Sequence, residues 1–155
     1  MFRFFRKINQ GIRNLIYYFP IIWNDRHWDD FYVFVYLRRK LISMEKFYRH
    51  YAHFVGNEKE ADKIKLCVML LNRIVNDDYL ENALVFHEKK YGELNMNLKD
   101  TGVVLFSTTK ELTEKEEKMG DKLRTNLYKH ADNQKQQDID MLFDKMAKHI
   151  QGWWD

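Results

Sequence analysis

The chain has little of what a β-rich fold needs for its turns: one proline, Pro20, and six glycines in 155 residues. Sandwiches and barrels turn every few residues and rely on Gly and Pro to do so, so the composition argues for helix. A single cysteine, Cys67, excludes an internal disulfide and the small stapled folds, and it suits a reducing compartment. It lies in the apolar run Leu66-Cys67-Val68-Met69-Leu70-Leu71, where a buried small hydrophobe is expected rather than a reactive thiol. Acid is missing from the first twenty residues, which carry Arg3, Arg6, Lys7 and Arg13. A bilayer-spanning run is missing too. The uncharged stretch Asn14 to Asn24 contains Pro20 and two tyrosines, is too short to span as a helix, and precedes no small-residue cleavage site. A soluble, cytoplasmic protein is the expectation.

The common catalytic signatures are also missing. No glycine-rich loop is present to cradle a phosphate, and there is no His-Glu-x-x-His or Cys-x-x-Cys. Ser43 and Ser107 sit in no Gly-x-Ser-x-Gly setting. The sequence asks for no cofactor, and it favours a protein that is not an enzyme.

What is present is apolar patterning and uneven charge. Hydrophobic residues make up 45% of the chain, enough for one core without metal or disulfide support. Residues 1–50 hold ten Lys/Arg against four Asp/Glu, a balance of +6, while residues 51–100 and 101–155 carry −2 and −1. That asymmetry points to an anionic partner for the first third: nucleotide, nucleic acid, lipid headgroup or acidic protein. A duplex-DNA reader is disfavoured, because Arg38-Arg39-Lys40 is one short cluster with no recognition-helix signature.

The periodicity predicts an all-α fold of four to five helices in a bundle or hairpin assembly, as a single helical domain over 1–155. Phe2, Phe5, Ile8, Ile12, Leu15, Ile16 and Phe19 recur at helical spacing between basic residues, a basic amphipathic helix over 1–19 that ends near Pro20. It either packs on the core by its apolar face or binds a membrane surface or a partner. Asp25 or Asp29 can cap a second helix running to about Val55, closed by Gly56. Asn57 with Glu60 reads as a capping box for a third helix, kinked at Asn76-Asp77-Asp78 and continuing to Tyr91. Residues 93–112 read as a connector: Val103-Val104-Leu105-Phe106 has strand character but no obvious partner. Thr113 and Glu116 form a second capping box, opening a long C-terminal helix over 113–151. Gln134-Lys135-Gln136-Gln137 interrupts its apolar face, so part of it is expected to stand away from the core.

All four tryptophans fall in two short runs, Trp23-Asn24-Asp25-Arg26-His27-Trp28-Asp29-Asp30 and Trp153-Trp154-Asp155. The simplest expectation is that both runs meet in one aromatic and acidic corner. As a ligand site, Trp23, Trp28 and Arg26 would stack on a nucleobase. Asp25 or Asp29 would accept from a base edge or ribose, His27, Trp153 and Trp154 would complete the walls, and Arg3, Arg6 or Arg13 would pair phosphates. As scaffold, the same tryptophans plug gaps between helix ends while the aspartates cap. A metal site is the weaker candidate. His50 and His53 share a helix face, and Asp77, Asp78 and His87 in the following hairpin would complete a zinc, manganese or iron set for a metal-dependent phosphohydrolase.

The segment Ile22-Trp23-Asn24-Asp25-Arg26-His27-Trp28-Asp29-Asp30, followed by Arg38-Arg39-Lys40-Leu41 and Met44-Glu45-Lys46, resembles a set of small uncharacterised proteins of tailed bacteriophages. There too a Trp-Asp segment leads into a long helix. The likeness continues through Lys63-Ile64-Lys65-Leu66, Leu70-Leu71-Asn72-Arg73, Asp77-Asp78-Tyr79 and His87-Glu88-Lys89-Lys90-Tyr91-Gly92 to the terminal Trp153-Trp154-Asp155, and it weakens between Asn95 and Thr113. The resemblance implies a phage origin and a role in the host cytoplasm, and it supplies no reaction. The reading is therefore a non-catalytic accessory protein for host takeover or anti-defence, one that sequesters a host protein or a nucleotide-type immune signal and is able to form a homo-oligomer. A virion structural or assembly protein is the first alternative.

Overall fold

The computed structural model describes residues 2–51, 55–98 and 104–153. Its framework is all-α. Among the described residues the helices are α1 (Phe2–Asn24), α2 (Phe31–His50), α3 (Asn57–Asn76), α4 (Glu81–Tyr91) and α5 (Glu114–His149). A short hairpin of β1 (Leu94–Leu98) and β2 (Val104–Thr108) stands between α4 and α5, and a 3-10 turn, Ile150–Trp153, follows α5. The span read as one helical domain divides into two compact units, Met1–Val75 with Lys145–Asp155, and Asn76–Asp144.

In the first unit, α1 corrects the expected stop near Pro20. Proline lacks the N–H that would bond four residues back, yet the helix runs through Pro20 to Asn24. Pro20 and Ile16 are both exposed, so water can serve the orphaned Ile16 carbonyl. Asn24 Nδ2 donates to the Pro20 carbonyl at 2.7 Å. The cap of α2 comes from Asp29, whose Oδ1 accepts the Phe31 amide at 3.0 Å. α2 ends at His50 rather than near Val55, with Tyr51 as its C-cap, so Gly56 does not close it. Gly56 (φ +98°) instead precedes α3, and its carbonyl accepts the Glu60 amide at 3.1 Å.

Asn57 joins α2 to α3: its Oδ1 accepts the Glu58 amide at 3.0 Å and its Nδ2 donates to the Tyr48 carbonyl at 3.1 Å. Arg49 ties the same two helices, with Nε 2.7 Å from Glu45 and Nη2 2.8 Å from Asp62. α3 buries Ala61, Ile64, Cys67, Val68, Leu70, Leu71 and Ile74, one helical stripe. Each fully buried aliphatic of that stripe contributes about 1.5–3 kcal/mol. Burial pushes the Cys67 thiol up in pKa, with the Lys145 ammonium opposing, so Cys67 behaves as a core residue. Trp153 is 2% exposed, and its carbonyl accepts the Tyr48 hydroxyl.

In the second unit, the expected kink at Asn76-Asp77-Asp78 is a full break. α3 stops at Asn76, and Asp77 takes a left-handed φ of +57°, a conformation Asp tolerates better than most residues. α4 ends at Gly92 (φ +90°), whose amide bonds the Glu88 carbonyl at 2.8 Å. Lys110 Nζ reaches the Lys89 and Lys90 carbonyls at 2.8 and 3.2 Å and so satisfies orphan acceptors at the helix end.

The connector expected over 93–112 is thereby corrected. The strand-like run finds its partner in Leu94–Leu98, in antiparallel register from Leu94 opposite Thr108 to Leu98 opposite Val104. The Thr113–Glu116 box forms in full: Glu116 Oε2 accepts from Thr113 N at 2.9 Å and Oγ1 at 2.6 Å, and Thr113 Oγ1 accepts the Glu116 amide at 3.4 Å. α5 runs unbroken through Gln134–Gln137, where Lys135 pairs with Asp77 at 3.0 Å. Tyr79 donates to the buried Asp138 carboxylate at 2.7 Å.

Candidate functional site

Among the described residues the single aromatic corner does not form. Trp23 and Trp28 are 76% and 70% exposed and flank the N-terminal end of α2, whereas buried Trp153 sits by Tyr48 near its C-terminal end. Phe31 and Tyr48 are seventeen residues apart on that helix, about 25 Å at 1.5 Å per residue. Trp154 lies outside the described residues. Within the first run, Arg26 lies over the Trp28 ring at 5.8 Å and the His27 ring meets Trp28 edge-on at 4.8 Å. Arg26 and His27 thus both pack against Trp28 in an exposed connection. Asp29 is engaged as the α2 cap.

The metal candidates are dispersed or engaged. His50 is exposed, with its ring edge toward Tyr51. Asp77 holds Lys135, Asp78 is exposed, and buried His87 places Nε2 3.0 Å from the Gly120 carbonyl. His53 lies outside the described residues. Among the described residues no three His, Cys, Asp or Glu groups come close enough to hold a metal ion.

The feature that stands out is α1. Phe5, Ile8, Ile12, Ile16, Phe19 and Trp23 follow one another at spacings of three and four, which puts them on one face. That face is bare: their exposures run from 45% for Ile8 to 76% for Trp23. The helix is held by a different side, where Tyr17, Tyr18 and Ile21 are half-buried. Arg39 of α2 makes the attachment. Its guanidinium carbon lies 4.0 Å from the Tyr17 ring centre, its Nη2 donates to the Tyr17 carbonyl at 3.1 Å, and the Tyr17 hydroxyl donates to the Arg39 carbonyl at 3.2 Å.

Beside this attachment lies an open groove of about 870 Å³, with Gly11, Asn14, Leu15, Tyr18 and Ile22 on one wall and Val33, Tyr36, Leu37 and Lys40 on the other. Burial and then the Asp25 carboxylate, which bonds the phenol, push the Tyr36 hydroxyl up in pKa. The Tyr18 hydroxyl is raised by burial and by Tyr17, against Arg39. Both phenols thus stay neutral, and the groove is mostly apolar, with Asn14 and Lys40 as its other polar side chains. Asp25 serves Tyr36 rather than a cap or a ligand. No protein-family model, curated protein or solved structure matches the chain.

The amphipathic period of α1 is plain in the sequence, but which side would meet the core is not. Tyr17 and Arg39 were the missed residues, and no motif marks their pairing.

Proposed function

We propose that this chain is a non-catalytic binding protein whose working surface is α1 and the α1–α2 groove. The observation that carries the reading is the exposed apolar face of a helix already anchored through its other side. A contiguous patch of this kind on an ordered element is characteristic of an interaction site. The proposal keeps the expected role in host takeover or anti-defence and moves the site from the Trp-Asp corner to α1. A nucleotide in the groove is disfavoured because, among the described residues, Lys40 is its one lining cation; a phosphate needs convergent donors.

The test is native mass spectrometry of the protein purified from cells that express it, beside the variant I12E/I16E. The expected result is added mass on the parent chain, whether a partner, a second copy or an apolar ligand, that is lost in the variant. Identical bare monomers for both, with no α1-dependent binding to added lipid vesicles, overturn the reading. An adduct of a few hundred daltons retained by I12E/I16E and lost in R26A/W28A overturns it in favour of a nucleotide-type ligand at the Trp23–Trp28 segment.

A further inference from the structure

We infer that α1 is a membrane-surface helix, and that the occupant of its apolar face is the interface of a bilayer containing anionic phospholipid. The inference rests on the reading of α1 as the working surface and names what that surface meets. Three observations select lipid over the alternatives. First, the exposed face is built of Phe, Ile, Leu and a terminal Trp over 23 helical residues, about 34 Å of helix. No described helix is long and apolar enough to cross a membrane, so α1 suits lying in the interface plane rather than spanning it.

Second, the remaining circumference carries Arg3, Arg6, Lys7 and Arg13, all exposed, and α1 contains no acid. Counted at about 100° per residue, Arg13 and Lys7 flank the apolar face about 60° and 80° beyond its two edges, Arg6 lies about 80° beyond on the Arg13 side, and Arg3 stands opposite. Cations so placed reach headgroup phosphates while the rings and branched chains enter the acyl boundary. Third, α2 is attached on the Tyr17–Tyr18 side, away from Ile12, Ile16 and Phe19, so it does not obstruct a flat surface. Trp23 lies within the face, and Trp28 just beyond the helix is also exposed; tryptophan is enriched at the headgroup level.

A second copy fits less well. Two α1 helices face to face would bring the flanking cations of each copy toward one another with no acid on either helix to pair them, a like-charge arrangement that opposes association.

The experiment is co-sedimentation of the full chain with large unilamellar vesicles, one set of pure phosphatidylcholine and one of phosphatidylcholine and phosphatidylglycerol in equal parts. Tryptophan emission is followed in the same samples. The expected result is preferential pelleting with the anionic vesicles, with a blue shift from Trp23. R6Q/R13Q alters only exposed polar-face residues, so its fold is preserved. Its affinity for anionic vesicles should fall about 25-fold, about fivefold per cation removed near the surface. I12S/I16S should stay in the supernatant with both vesicle types while circular dichroism shows an intact helical fold. Failure of the parent chain to pellet, equal binding to both vesicle types, or unchanged binding by R6Q/R13Q overturns the lipid assignment. If the parent chain does not pellet yet I12E/I16E still loses an adduct in the mass spectrometer, a protein occupies the face and the binding reading survives. If neither measurement distinguishes the variants, both readings fall.

Discussion

Gly92→Ala should be the most damaging small substitution in the chain, and Gly56→Ala gives its internal control. Both glycines have positive φ, +90° and +98°. Gly92 also has ψ 160°, a region that side-chain-bearing residues essentially avoid, at a cost of about 1–3 kcal/mol. Its surroundings add a second cost. A Cβ there would lie 2.8 Å from Thr109 Oγ1 and 2.9 Å from the Lys110 amide nitrogen, whereas a Cβ at Gly56 meets nothing within 4 Å. Thr109 cannot simply rotate away, because its Oγ1 accepts the Glu93 amide at 2.9 Å while its own amide bonds the Glu93 carbonyl at 3.0 Å. Overpacking of this kind costs about 1–3 kcal/mol.

The two terms put G92A near 4 kcal/mol, a fall in Tm of about 8–16 °C for a chain of this size. G56A carries only the backbone term of about 1–2 kcal/mol, about 2–8 °C. Thermal melts by far-UV circular dichroism measure both, and amide exchange at Thr109 reports the junction locally. A G92A melt equal to that of G56A would refute the packing argument, and a melt equal to the parent chain would refute the backbone argument as well.

Thr113→Ala removes the α5 cap and should cost about 1 kcal/mol, read in the same melts. The Thr113 hydroxyl and then its amide hold the Glu116 carboxyl below its ordinary 4.5. A depressed folded pKa stabilises above the unfolded value, and that stabilisation is lost as pH falls through the folded one. The parent chain should therefore lose this contribution progressively below about pH 4.5, and T113A should show a flatter melt-versus-pH curve there; parallel curves would count against the box. Tyr79→Phe takes a donor from Asp138, which is 6% exposed. Bonds to a charged group contribute about 1.5–3 kcal/mol, so Y79F should lower the denaturation midpoint accordingly, and an unchanged midpoint would show that the bond is not needed.

Sequence was most informative where the signal is local. Thr113 and Glu116 stand three apart before an apolar period, and every bond of the expected box is made. Gly92 ends α4, whereas Asn57 opens α3 without the expected box: its Oδ1 accepts the adjacent Glu58 amide, and the Glu60 carboxylate pairs with Lys63. The hairpin was legible in part. Leu94-Asn95-Met96-Asn97-Leu98 alternates apolar and polar, the period of a half-buried strand, but the asparagines also match turn chemistry, and that reading hid the partner of Val104–Thr108. Pro20 misled for a different reason. Its penalty falls on one carbonyl, and an exposed helix surface lets water serve that acceptor, so the strong periodicity of residues 2–24 wins. The tryptophan corner failed because composition carries no distance. Nothing in two Trp-Asp runs says that a twenty-residue helix separates their docking points.

The energetics of α1 follow from how it is attached. Leaving Phe5, Ile8, Ile12, Leu15, Ile16, Phe19 and Trp23 largely in water forgoes burial of about 1.5–3 kcal/mol for each fully covered side chain. Even discounted for their partial exposure, seven such residues hold an unrealised term comparable with the 5–15 kcal/mol by which a whole domain is stable. A sequence shaped only by folding would turn that face onto α2. Instead α2 offers Arg39, which clasps a ring and a backbone carbonyl of Tyr17 and binds the helix without covering the apolar residues. An occupant can therefore take the face while the Tyr17–Arg39 clasp stays closed, and no described segment has to be displaced first. Binding then carries little conformational penalty, which is the condition under which exposed apolar area converts most efficiently into affinity.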